Sequence, residues 1–146
     1  MKRTPRFLPR IACACLALPL HAAACGVSVT PLTFGTINPL DRVPVESVAT
    51  VTVSCPGAAA YTVSASAGGG EFVERRMSNG ANALAYQLYT DPGHSQVWGD
   101  GSTGTAVISG LGDAGGSVHH VYGRVPAQPL AVPGAYADVL TVVVTY

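Results

Sequence analysis

Asp138-Val139-Leu140-Thr141-Val142-Val143-Val144-Thr145-Tyr146 closes the chain. Leu140, Val142, Val144 and Tyr146 share one parity and Thr141, Val143 and Thr145 the other, which is the two-residue period of a β-strand. Three consecutive valines add β-branched enrichment, and Pro133-Gly134 marks the boundary upstream. No turn, cap or further element follows to cover this strand. An apolar edge of that length pairs with another chain unless something protects it. The sequence therefore points either to an aggregation hazard or to a sheet built to receive a strand from a partner.

Outward from that strand, the chain reads as short strands punctuated by Gly, Pro, Asn and Asp. Val27, Val29 and Phe34 open a first strand, interrupted at Pro31 as an edge or a bulge would be. Ala49 to Cys55 alternates cleanly. Tyr61, Val63 and Ala65 alternate with Thr62, Ser64 and Ser66, and Leu84, Tyr86 and Leu88 with Ala85, Gln87 and Tyr89. Ala106-Val107-Ile108 predicts a short strand before Gly110, and Val118 to Val125 a longer one. Gly68-Gly69-Gly70 reads as a turn or flexible loop. No stretch carries a capped helical pattern. Strands at this spacing predict an all-β sandwich or barrel.

The N-terminus predicts export. Lys2, Arg3, Arg6 and Arg10 precede the apolar run Ile11 to Leu20, which is too short to span a bilayer comfortably, and Ala22-Ala23-Ala24 offers small residues for cleavage. Residues 1–24 are thus expected to be a signal peptide and 25–146 one β-sandwich domain. The alternative is a lipoprotein acylated on Cys25, although the alanines before it lack a large aliphatic residue. Past residue 24 the basic residues are Arg42, Arg75, Arg76 and Arg124. Four basic residues against eight acidic ones give a formal charge of −4, with no lysine. That balance is a poor footprint for nucleic acid or an anionic membrane. Sparse charge also leaves more surface suited to burial against neighbours. Of four cysteines, Cys13 and Cys15 leave with the signal. Cys25 and Cys55 are expected to form a disulfide closing a loop of about 30 residues. No further ligands stand at metal-site spacing around them, and no cofactor is expected.

The chemistry-bearing residues read mostly as structure. Trp98-Gly99-Asp100-Gly101 is either a binding loop or a tight turn with Trp98 on the core. His119-His120 on a strand point to opposite faces and suit no shared metal ion. Gly93-His94-Ser95-Gln96-Val97 lacks the second glycine of a nucleophile elbow. Glu71, Glu74, Asp91 and Asp100 fall in turn-rich segments and Arg75-Arg76 reads as surface. No nucleophile, base and orienter assemble into a hydrolase, so no enzyme is expected. Tyr89 and Trp98 are the aromatic residues singled out as possible exposed contacts.

Cys25-Gly26-Val27, Phe34-Gly35, Arg76-Met77, Ala85-Tyr86-Gln87-Leu88-Tyr89-Thr90-Asp91, Trp98-Gly99-Asp100-Gly101, Val121-Tyr122-Gly123-Arg124-Val125-Pro126 and Pro133-Gly134-Ala135-Tyr136-Ala137-Asp138 follow one another before the terminal strand. This order resembles the spore coat protein U domain family, which includes subunits of archaic chaperone–usher pili. The resemblance implies an immunoglobulin-like sandwich lacking its final strand. It implies a periplasmic chaperone that lends a strand, an outer-membrane usher, neighbouring fibre subunits as partners, and a destination at the cell surface or outside the cell. Polymerising members carry an extension ahead of the first cysteine. Here Cys25 sits at the expected cleavage site, which suits a terminal or minor subunit. By register, Val27, Val29, Leu140, Val142, Val144 and Tyr146 are expected to line the strand-accepting groove. The alternative is a self-sufficient secreted domain that binds carbohydrate or a surface.

Overall fold

The computed structural model describes residues 24–146, so the expected signal peptide, apart from Ala24, lies outside the described residues. Eight strands form: β1 (Gly26–Val29), β2 (Val45–Ser54), β3 (Ala59–Ala65), β4 (Arg75–Asn79), β5 (Asn82–Tyr89), β6 (Ile108–Gly112), β7 (Ser117–Val125) and β8 (Val142–Thr145). They make two antiparallel sheets, in the orders β1-β2-β7-β5-β4 and β6-β3-β8. The fold is an all-β sandwich.

Alternation decides which side chains meet between the sheets. Ala49, Val51 and Val53 of β2 are buried, as are Val121 and Val125 of β7 and Tyr61, Val63 and Ala65 of β3. The intervening Glu46, Val48 and Ser54 face water. β4 and β5 join through a two-residue turn, with Asn79 opposite Asn82. Gly80 takes φ +58° at the first central position, as a type II′ hairpin requires. Cys25 and Cys55 are bonded, tying the start of β1 to the end of β2 beside the Gly26–Ser54 pair.

Three expectations change. The strand expected at Ala106–Ile108 begins instead at Ile108 and runs to Gly112. Ala106 pairs only with Trp98, in an isolated parallel bridge. Trp98, expected as a possible exposed contact, is 2% exposed and donates through Nε1 to the Val63 carbonyl at 3.2 Å. The indole fills core volume, and burial of its N–H is compensated by that bond. Arg75 is fully buried rather than on the surface, because its register partner is the inward-facing Tyr86.

Candidate functional site: an open apolar cleft

Pro31 sets the geometry of the site. Thr30 still donates to the Thr50 carbonyl at 2.9 Å, but proline has no N–H and the ladder stops there. The chain then crosses the inner face of the larger sheet without strand pairing. Leu32, Phe34 and Ile37 pack against the core, and the Thr33 carbonyl accepts from Ser47 Oγ at 2.7 Å. Gly123 of β7 makes room, since a Cβ there would strike Leu32 and Phe34. Phe34 meets Tyr86 edge-on, with ring centroids 6.1 Å apart. Asn38 then caps the short 3-10 turn Pro39–Asp41.

A second irregular segment faces the first. Tyr136 Oη donates back to the Val132 carbonyl at 2.7 Å, and Ala137 and Ser78 exchange backbone bonds of 2.9 and 3.1 Å at the edge of β4. Between segments 31–39 and 131–140 lies a cleft of about 1000 Å³. Its floor is Met77, Leu84, Tyr86 and Leu88, and its walls carry Leu32, Phe34 and Ile37 on one side and Ala131, Tyr136 and Leu140 on the other. Leu40, Val43, Leu130, Val132 and Val139 stand exposed on or beside the same two segments. Apolar side chains gathered around a groove in this way mark a contact surface.

A polar hub fixes the second wall. Asp138 Oδ1 accepts from Gly69 N at 2.9 Å and from Val139 N at 2.8 Å, and Oδ2 accepts from Tyr86 Oη at 2.6 Å. Gly68, at φ +70°, lies so close to that carboxylate that a Cβ would collide with it. Burial, reinforced by the bond to Asp138, pushes the Tyr86 hydroxyl above its ordinary pKa, so it stays a donor. Below the floor, Arg75 donates to Gln87 Oε1, to the Ser66 carbonyl at 3.0 Å and to the Trp98 carbonyl at 2.7 Å. Burial lowers its pKa, against the opposing pull of Tyr86 and Asp138. Ser66 in turn binds Thr141, the residue before β8.

That last contact orients the free edge. Ser66 N donates to the Thr141 carbonyl at 2.9 Å, so Thr141, Val143 and Thr145 direct their backbone groups toward β3. Val142 and Val144 then turn their N–H and C=O groups to the open side while their side chains pack on the core.

Of the six residues expected to line the groove, Leu140 lines this cleft. Val27, Val142 and Val144 are half-buried against the core, and Val29 and Tyr146 are exposed. The apolar series of the first wall continues past Pro31 without being a strand, so a strand register carried through Val27 and Val29 stops short of it. Leu32, Ile37, Met77 and Asp138 escaped sequence reasoning. Leu32 and Ile37 carried a signal in their spacing around Phe34. Tyr89 is partly exposed on the opposite face, with the His94 ring 4.9 Å away. Among the described residues, no three His, Cys, Asp or Glu side chains gather at metal-binding distance. Also among them, no helix is long and apolar enough to cross a membrane.

A sequence profile of the Spore Coat Protein U domain matches residues 12–143. No curated protein sequence matches the chain. Among solved structures, the chain is similar to one from the crystal structure of the CsuC–CsuE chaperone–tip adhesion subunit pre-assembly complex, from archaic chaperone–usher Csu pili of Acinetobacter baumannii. The TM-score is 0.56 at 19% identity, over 84% of this chain and 39% of that chain. Likeness at this identity speaks for the fold, and this chain spans about two-fifths of the other's length. The family follows from the profile, which runs through both walls of the cleft and into β8: the chain belongs to the Spore Coat Protein U domain family.

Proposed function

We propose that this chain is a structural subunit of an exported surface fibre, pilus or coat, completed by an extended segment of another chain laid into the cleft. The carrying observation is an apolar cleft that runs up to a strand edge whose Val142 and Val144 backbone groups have no partner. An incoming strand would gain ladder hydrogen bonds there, and its alternate side chains would fill the slot. Burying three or four apolar side chains contributes roughly 5–10 kcal/mol before ordering costs. Family membership and the chaperone–subunit relative support a periplasmic chaperone as the first donor. An outer-membrane usher and neighbouring subunits follow in this reading, with export directed by the basic and then apolar N-terminus. If cleavage falls beside Cys25, the subunit accepts a strand without giving one, which suits a terminal or minor position. The role is one of binding and assembly rather than catalysis.

The test is co-purification with the chaperone after export. Leu140→Asp puts a charge into the cleft and is expected to reduce recovery of the complex at least about tenfold, the scale of one lost apolar contact replaced by an unpaired charge. Thr141→Asp, on an exposed side chain, is expected to leave it near wild type. Equal recovery of both variants would remove the open-cleft mechanism. A stable monomer that unfolds in one cooperative step without any donor would favour the self-sufficient binding domain instead.

A further inference from the structure

The residues lining the cleft are apolar or neutral except for one: among the described residues, Asp138 is the single charged side chain in its wall. The carboxylate is half-buried and fastened on two sides, by Gly69 N and Val139 N to Oδ1 and by Tyr86 Oη to Oδ2. A carboxylate offers about four acceptor positions. Three are taken, and the one left belongs to Oδ2. The only nearby cation, Arg75, is fully buried and spends its contacts on Gln87, Ser66 and Trp98, so it offsets the charge from behind the floor without touching it. The glycines at 68 and 69 let the backbone approach closely enough that Asp138 has no room to swing away. An occupant of the cleft therefore meets a fixed negative oxygen with one free lone pair in otherwise apolar surroundings.

We infer that Asp138 is a specificity filter of the cleft: it admits an incoming strand bearing a neutral hydrogen-bond donor at the slot that reaches it, and refuses one bearing a carboxylate there. This rests on the reading of the cleft as a strand acceptor. The chemistry is asymmetric. A hydroxyl or primary amide satisfies the remaining lone pair at no charge cost, whereas a second carboxylate confronts the first in a water-poor slot and leaves both unpaired. At every other slot the lining is apolar, so amide and acid are both poor occupants. The filter thus acts at one position of the donor.

The probe is a synthetic peptide alternating valine and threonine over about nine residues, the length of a full strand. Its inward positions are replaced one at a time by Asn and by Asp, and binding to the exported protein is measured by fluorescence anisotropy. At one inward position Asn is expected to bind at least about tenfold more tightly than Asp, the scale of a close like-charge contact. At the other inward positions both are expected to bind poorly and alike. Asp138→Asn is expected to bring the Asn/Asp ratio at that position to within about threefold, and Tyr86→Phe, which keeps the carboxylate and frees its Oδ2, to leave the preference at least as large. If Asp138→Asn does not fold by its thermal melt, the Tyr86→Phe arm decides, since loss of the preference there overturns the filter. Asn and Asp binding equally at every inward position overturns it as well, while the strand-acceptor reading stands. If no peptide of the panel binds, it is the strand-acceptor reading that fails.

Discussion

Gly70 has no space for a methyl group. A Cβ there would collide with the Glu74 carbonyl and press on the Arg76 N and Arg75 Cα, all backbone atoms held in place by the turn between Glu71 and Glu74. Gly134 is obstructed only by the Asn79 amide, at the end of a movable side chain. Gly70→Ala is therefore expected to cost about 1–3 kcal/mol in urea unfolding, and Gly134→Ala under about 0.5 kcal/mol. His119 gives a test in pH. It sits between the sheets beside the Tyr61 hydroxyl, with the exposed His120 next to it on the other face, and burial followed by the His120 charge holds its pKa below the ordinary value. Below about pH 6.5 the unfolded chain takes up the proton first, so stability falls as pH drops and levels off beneath the folded pKa. The urea midpoint is expected to drop between pH 8 and pH 5, and His119→Gln to remove part of that slope. The two histidines were legible as opposite-facing because period two is a backbone property. Arg75 was not. Side by side with Arg76 it looks solvated, and only the β4–β5 register, which no local pattern encodes, turns it inward.

The elements follow the same division. β2, β3, β5 and β7 were legible because their alternation is long and uninterrupted, with polar residues on one face. β6 was shifted by Val107, which looks like a strand residue but follows Ala106, whose pairing is spent on Trp98 and Gly99. β8 is shorter than its sequence pattern, because Asp138 and Val139 are engaged by the hub and cannot join a ladder. β1 illustrates how little holds an edge. It has four residues and pairs on one side only, and the disulfide at its start keeps it registered on β2. Replacing both Cys25 and Cys55 by Ser is expected to cost roughly 3.5 kcal/mol by loop entropy. Hydrogen exchange should show the β1 amides losing protection well before those of β7.

At the scale of the whole molecule, the sandwich and its unfinished edge were visible in the terminal strand, while the position of the cleft was not. Its walls are segments 31–39 and 131–140, which carry Pro and Gly where strands carry alternation, so their apolar residues looked like turn filler. The large sheet also places β2 beside β7, whose sequence lies more than sixty residues further along, and the Asp138 hub joins Gly69 to a partner 69 positions away. Such pairings are slow to find, because long loops must close before they gain anything. The β4–β5 hairpin and the Cys25–Cys55 loop span short stretches and are expected to form early. The β2–β7 ladder follows, and the Asp138 hub with β8 closes last. Pulse-labelled exchange during refolding should therefore find the β4–β5 amides protected first and the Val142–Thr145 amides last. On this timetable the seam between the two walls is the youngest part of the molecule at every birth of the fold, and a partner that catches it meets a chain whose other contacts are already made.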